Sequence, residues 1–324
     1  MNDSGIEQTS QTVSPRIPVA LEPAAQQNSR VKEIFIGLDG LRAGWRALIF
    51  LAIVVVLSFA FNAATRSFLA TLAPVGTITP VLVYFSHGSL FLFTSIAALI
   101  MARIEHRRYV QYGLPARFAF GKNFRIGVVV GFLAICGCLL GIFALHGFQI
   151  DGLNIHGTTI LTAFVAWSIA FVLVGLAEEF FFRGYLQFTL TTGIGFWPSA
   201  LLLSGLFALA HAGNPGETKL GLAAVVLFGL LLSLFLRRTG NLWWAVGFHV
   251  GWDWGETFFY GVSDSGQSTY HNLLHSNFHG PVWLTGGSVG PEASIFTPIV
   301  LLVVAILFSL CYRENKYQII QIKD

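Results

Sequence analysis

Residues 171–190 read FVLVGLAEEFFFRGYLQFTL. Three charges, Glu178, Glu179 and Arg183, fall within six positions of an otherwise apolar run. An ionisable side chain in a bilayer costs at least ~2.5 kcal/mol on insertion scales, so a membrane helix carries one only for a reason. The fold turns on whether this run lies in water or in lipid. Of the 324 residues, 54% are hydrophobic and 11% are charged. A soluble domain has about a quarter of its residues charged, because charge covers the surface that water sees. Sixteen acids and nineteen bases cannot cover a folded body of this size. That excludes an ordinary soluble enzyme and a disordered chain. The net charge of +3 is small and scattered, which excludes a nucleic-acid partner. The composition predicts a polytopic membrane protein with the lipid bilayer as its main partner.

Working outward, a bilayer core of about 30 Å takes about 20 apolar residues per helical crossing. Eight stretches reach or approach that length, near 45–64, 80–102, 126–145, 160–182, 197–211, 220–236, 242–260 and 295–310. They are too continuous for barrel strands, which would alternate. The expected fold is therefore all-α, a bundle of about eight transmembrane helices. Basic residues set its orientation. Sixteen Lys and Arg fall on the side of the two termini and two, Arg66 and Lys219, on the other, with Arg183 set apart at the end of the fourth span. The positive-inside rule makes both termini cytoplasmic. The expected layout is a flexible tail over 1–40, a transmembrane domain over 41–318 and a short tail over 319–324, in the cell membrane. The core lies at about 160–260 and an outer loop without Lys or Arg at about 263–293. Cys136, Cys138 and Cys311 are odd in number and lie in apolar spans, which argues against a disulfide framework.

The buried ionisable groups form three segments. In the first, Glu179 and Arg183 are four apart with the acid N-terminal, the favourable order for an ion pair. Glu178 points about 100° away from its neighbour and is left to another task, for which a general base is the natural reading. The second segment, Phe207 to Gly216, closes an apolar helix at His211 and breaks it with Gly-Asn-Pro-Gly. The third, Phe248 to Glu256, sets His249 and Asp253 on one helix face, a stripe that can bind a metal or polarise a carbonyl. Glu256 reads as a structural counter-ion. His87 and His146 have no matching partner and read as ordinary packed residues.

Together these segments resemble the CaaX prenyl protease and bacteriocin-processing (CPBP, or Abi) family of intramembrane proteases. That family carries Glu-Glu-x-x-x-Arg, Phe-x-x-x-His and His-x-x-x-Asn or Asp on successive membrane helices. Here they are Glu178-Glu179 with Arg183, Phe207 with His211, and His249 with Asp253. The resemblance implies hydrolysis of a peptide bond in a membrane-associated protein or peptide. It implies that Glu178 and His211 activate a water, that His249 and Asp253 hold the oxyanion, and that Glu179 and Arg183 support the site. Asp253 stands where the eukaryotic prenyl proteases usually have Asn, and an ionised Asp is a poorer donor but a better metal ligand. Glu178, His211, His249 and Asp253 therefore also make up a divalent-metal set such as zinc, although no His-Glu-x-x-His occurs.

Two further readings stand beside the protease. Chains of buried Glu, His and Asp also serve proton-coupled transporters, and the same fold could serve as a non-catalytic scaffold or immunity protein. The protease reading meets one geometric demand. A simple up-and-down path would place Glu178 and His211 at opposite membrane faces. The apolar run past Arg183 to Leu190 favours a long fourth span that keeps Glu178 at mid-depth.

Overall fold

The computed structural model describes residues 36–37, 40–72 and 77–318, in two units, Met1–Arg42 and Ala43–Asp324. In the first, β1 (Ile36–Gly37) and β2 (Gly40–Leu41) pair antiparallel. Apart from that pair, the tails expected over 1–40 and 319–324 lie outside the described residues.

The second unit is the expected helical membrane bundle. Its elements are α1 (Ala43–Leu69), β3 (Thr77–Ile78), α2 (Pro80–Ile104), α3 (Lys122–Ala144), β4 (Phe148–Leu153) and α4 (Thr158–Glu179). A π-helical segment, Phe180–Leu186, joins α4 to α5 (Gln187–Ile194), followed by α6 (Phe196–His211), α7 (Lys219–Thr239) and α8 (Trp243–Trp254). A second π segment, Gly255–Tyr260, leads to β5 (Ser268–Thr269), β6 (Leu274–Phe278), α9 (Val282–Thr285) and α10 (Phe296–Cys311). Among the described residues five helical segments are long and apolar enough to cross a membrane: Ala43–Leu69, Pro80–Ile104, Lys122–Ala144, Thr158–Ile194 and Lys219–Thr239. The apolar helices α6 and α10 are shorter, at 16 residues each.

Local chemistry explains the boundaries. Thr79 caps α2, its hydroxyl accepting from the Leu82 N–H at 3.3 Å, with Pro80 at the first helical position. Thr218 caps α7 in the same way through Gly221, and Gly240, at φ +74°, ends it in the left-handed region. Leu140, Leu161, Leu209 and Phe59 are exposed on the helix surfaces, the inverse of a water-soluble surface and suited to lipid.

Two glycine pairs fix the packing around the motifs. Gly127 and Gly131 on α3 face Gly247 and Gly251 on α8. A Cβ at Gly131 would sit 2.1 Å from the Phe248 carbonyl oxygen, and one at Gly251 would sit 2.0 Å from that of Val128. The two backbones touch because neither helix has a side chain there, the small-xxx-small device of membrane helices. This contact clamps α8, the carrier of His249 and Asp253, to a helix that bears no motif.

Outside the bundle, β4 pairs antiparallel with β6, and β3 pairs parallel with β5. These short ribbons tie the connections at one end of the unit. β3 and β5, at two residues each, are too short to show in sequence periodicity.

Candidate active site

The fourth span is longer than expected and settles the depth problem. Apolar helix runs from Thr158 to Ile194, with Arg183 fully buried inside it rather than at its end. The chain then reverses at Gly195, whose φ of +82° suits a residue without a side chain. Glu178 lies 17 residues before that turn and His211 lies 16 after it. At 1.5 Å per residue both stand about 25 Å from the reversal. The helical hairpin thus brings the two side chains to one level. A kink at Gly184 (φ −81°, ψ −113°) within the π segment bends the longer arm.

Glu178, His211, His249 and Asp253 all line one cavity of about 280 Å³. The Glu179–Arg183 ion pair forms as expected, at 3.1 Å and fully buried. Glu179 does more than neutralise. Its Oε1 also lies 3.0 Å from His249 Nδ1, and a carboxylate only accepts, so Nδ1 carries the proton. The opposite edge of that ring, Nε2, faces Asp253 Oδ2 at 3.5 Å and Glu178 Oε2 at 3.7 Å. The Arg183 guanidinium stacks 4.5 Å above the Phe207 ring, which itself meets the His211 ring edge-on at 4.6 Å. His211 Nδ1 lies 2.8 Å from the Phe207 carbonyl oxygen, four residues back. A carbonyl likewise only accepts, so in the neutral ring Nε2 holds the lone pair that can take a proton.

Residues far from the motifs complete the cavity. His87, on α2, places Nε2 3.4 Å from Glu178 Oε1 and lines the cavity. The reading of His87 as an ordinary packed residue is therefore corrected. A lone imidazole gives no spacing signal, and only the packing of α2 against α4 shows its partner. Asp264, Ser265, Gln267 and Glu292, from the predicted outer loop, also line the cavity. Glu292 accepts from the Ser265 backbone at 3.0 Å and hydroxyl at 2.6 Å, and Asp264 accepts from the Thr257 hydroxyl at 3.0 Å. Burial and the neighbouring Glu292 charge push the Asp264 carboxyl up to about 7. Glu256 does not act as the expected counter-ion. It is fully buried, and neither carboxylate oxygen has a hydrogen-bond partner among the described residues.

Glu178, His211, His249 and Asp253, read above as a divalent-metal set, line the cavity together. Among the described residues no three His, Cys, Asp or Glu side chains take up a metal-holding arrangement.

Residues 159–255 match the family model described as Rce1-like, type II CAAX prenyl endopeptidase. Over that segment the chain is similar to the Rce1-like family. The resemblance drawn from the three motifs is thereby borne out over that segment, and it supports a membrane protease, a hydrolase of the CAAX prenyl endopeptidase type. No curated protein matches the chain. The Rce1-like segment includes all three motifs, whereas His87, Asp264 and Glu292 lie outside it.

Proposed function

We propose that this Rce1-like protein is a multi-pass endopeptidase of the cell membrane that hydrolyses a peptide bond in a membrane-associated protein or peptide. The observation that carries this reading is the meeting of Glu178, His211, His249 and Asp253, from three helices, around one cavity. A water between Glu178 and His211 loses a proton to this pair, and the oxygen adds to the scissile carbonyl. The carbonyl becomes an oxyanion on the side of His249. With Glu179 holding Nδ1–H, an imidazolium His249 offers its second N–H, at Nε2, to that oxyanion. The Asp253 carboxylate, 3.5 Å from the same nitrogen, stabilises the imidazolium by its charge, and when protonated Asp253 donates to the oxyanion as well. The C–N bond then breaks, and the proton held by the Glu178–His211 pair passes to the leaving amine. Glu179 and Arg183 act as positioning residues through His249 and the Phe207 ring. Every proton in this sequence is held by a group of the chain itself.

Purified protein in detergent, offered an unstructured fluorescent polypeptide, tests the reading. Glu178→Gln and His211→Asn should each lower cleavage by about 10²–10⁴-fold, the usual worth of a general base. Wild-type rates in both variants would overturn the assignment. Proton-coupled uptake in sealed vesicles, lost in Glu178→Gln while no peptide is cleaved, would favour a transporter instead.

A further inference from the structure

The connections of the Ala43–Asp324 unit sort into two ends. At one end Arg46 and Arg107 both meet Glu105, at 2.8 and 3.2 Å. There too the Leu242 N–H donates to Gly113, the Trp243 indole donates to Pro115, and the Lys316 N–H donates to Arg237. That end carries the basic connections, from Arg103 to Arg125, Arg237 with Arg238, and Arg313 with Lys316. At the other end β3 pairs with β5, the Gly266 N–H donates to Val289, and Gly216 lies so close to Ser288 that a Cβ would stand 1.8 Å from its hydroxyl. Only Arg66 and Lys219 are basic there.

The cavity belongs to the second end. Its lining includes Asn214, Asp264, Ser265, Gln267 and Glu292, all partly exposed and all on connections of that end, together with Glu178 and the buried His249 and Asp253. Every basic connection of the first end is missing from its lining, which holds neither Lys nor Arg. The positive-inside rule assigns the Lys- and Arg-rich end to the cytoplasm. We infer that the site is entered from the extracytoplasmic face of the membrane and that its substrate is a polypeptide segment presented on that face. At about 280 Å³ the cavity lies just below the ~300–1,000 Å³ of typical small-molecule pockets, so it takes an extended segment or a chain end and not a folded domain. A lipid-modified C-terminus held at the cytoplasmic face would meet the paired Arg46–Glu105–Arg107 end of the bundle, not the cavity. The side of entry stands on the geometry and the charge asymmetry. That a polypeptide enters rests on the peptidase reading above.

Cysteine labelling separates the two. Ser265→Cys and, as a second position, Gln267→Cys are made in a Cys311→Ser background, with Lys122→Cys as the marker of the basic end. Intact cells are treated with a membrane-impermeant maleimide, and folding of each variant is checked by monodisperse elution in detergent. Labelling of either lining cysteine in intact cells, with Lys122→Cys labelled only after permeabilisation, is the expected result. Lining cysteines labelled only after permeabilisation would overturn the side of entry while leaving the peptidase reading intact. In sealed right-side-out vesicles, fluorescent casein added outside should be cleaved by wild type and not by Glu178→Gln. Cleavage by wild type only when the casein is enclosed inside would overturn the inference. No cleavage from either side, with the lining cysteines labelled from outside, would overturn the polypeptide substrate and the peptidase reading together and leave the side of entry standing.

Discussion

Two groups of buried charge occupy this molecule, and they are built to opposite rules. Near the basic end, Glu105 is saturated. Its Oε1 accepts from the Tyr185 hydroxyl at 2.5 Å, and its Oε2 meets Arg46 at 2.8 Å and Arg107 at 3.2 Å. Arg46 spends a second N–H on the Thr192 hydroxyl at 2.7 Å. Around the cavity, Glu178 has only imidazole nitrogens at 3.4 and 3.7 Å, and four carboxylates share a lining without Lys or Arg. Both groups are costly to bury. The first is compensated and closed, which is what a structural clasp requires. The second is left open toward a cavity, which is what proton transfer requires. Pairing, more than burial, separates a charge that holds a fold from one that does chemistry.

The largest expected effects set the two groups against each other. Glu105→Ala should cost about 3–5 kcal/mol of stability, because it leaves Arg46 and Arg107 buried without their shared carboxylate. Chemical unfolding in detergent micelles checks this, and a loss below about 1 kcal/mol, the worth of a surface pair, would break the comparison. Glu178→Gln should do the reverse, removing cleavage while leaving the unfolding midpoint near wild type. Next comes the clamp behind the site. Gly251→Ala forces a methyl group onto the Val128 carbonyl, an overpacking worth about 1–3 kcal/mol. Its melting temperature should fall, and cleavage should fall with it as α8 shifts His249 and Asp253.

A smaller effect is expected at His87. Hydrogen bonds to charged groups contribute about 1.5–3 kcal/mol, so His87→Gln should slow cleavage by about tenfold or more if the imidazole orients Glu178. A split between kcat and KM distinguishes this from simple damage, since a group that orients Glu178 should lower kcat with little change in KM. An unchanged kcat would return His87 to mere packing. A separate, pH-dependent effect concerns Asp264, raised in the folded protein to about 7 by burial and Glu292. A carboxyl raised above its unfolded value of about 3.9 adds stability that is complete below that value and is lost as pH rises through about 7. The melting temperature of wild type should therefore decline between about pH 4 and 7 more than that of Asp264→Asn. Parallel curves would show that Asp264 is already ionised in the fold.

The sequence disclosed the parts of this site that share a helix. Glu179 with Arg183 and His249 with Asp253 are four-residue pairs, so helical geometry alone brought them together. The membrane bundle was equally legible, because the scarcity of charge follows directly from the solvent. What the sequence withheld depends on contacts between distant elements. His87 reaches Glu178 from a helix 91 positions away in the chain. Asp264 and Glu292 look like ordinary loop acids, and only the folded loop brings them to the cavity lining. The turn at Gly195, which levels Glu178 with His211, shows in the sequence only as a short Thr-Thr-Gly-Ile-Gly stretch between apolar runs. The glycines of α3 and α8 each repeat at a four-residue spacing, but a spacing names no partner.

The glycine contact has a consequence for how this protein can be taken apart. The matched segment starts at residue 159 and includes α8, yet the surface on which α8 rides is α3, which precedes it. The homologous core is thus not a self-sufficient module. A shortened chain starting at the match would expose the bare backbone of Gly247 and Gly251 to lipid, with no counterpart to seat the helix that carries His249. Grafts and truncations of this protein should keep residues 122–144 with the core, because the His249–Asp253 stripe depends on a bearing that the matched segment does not contain.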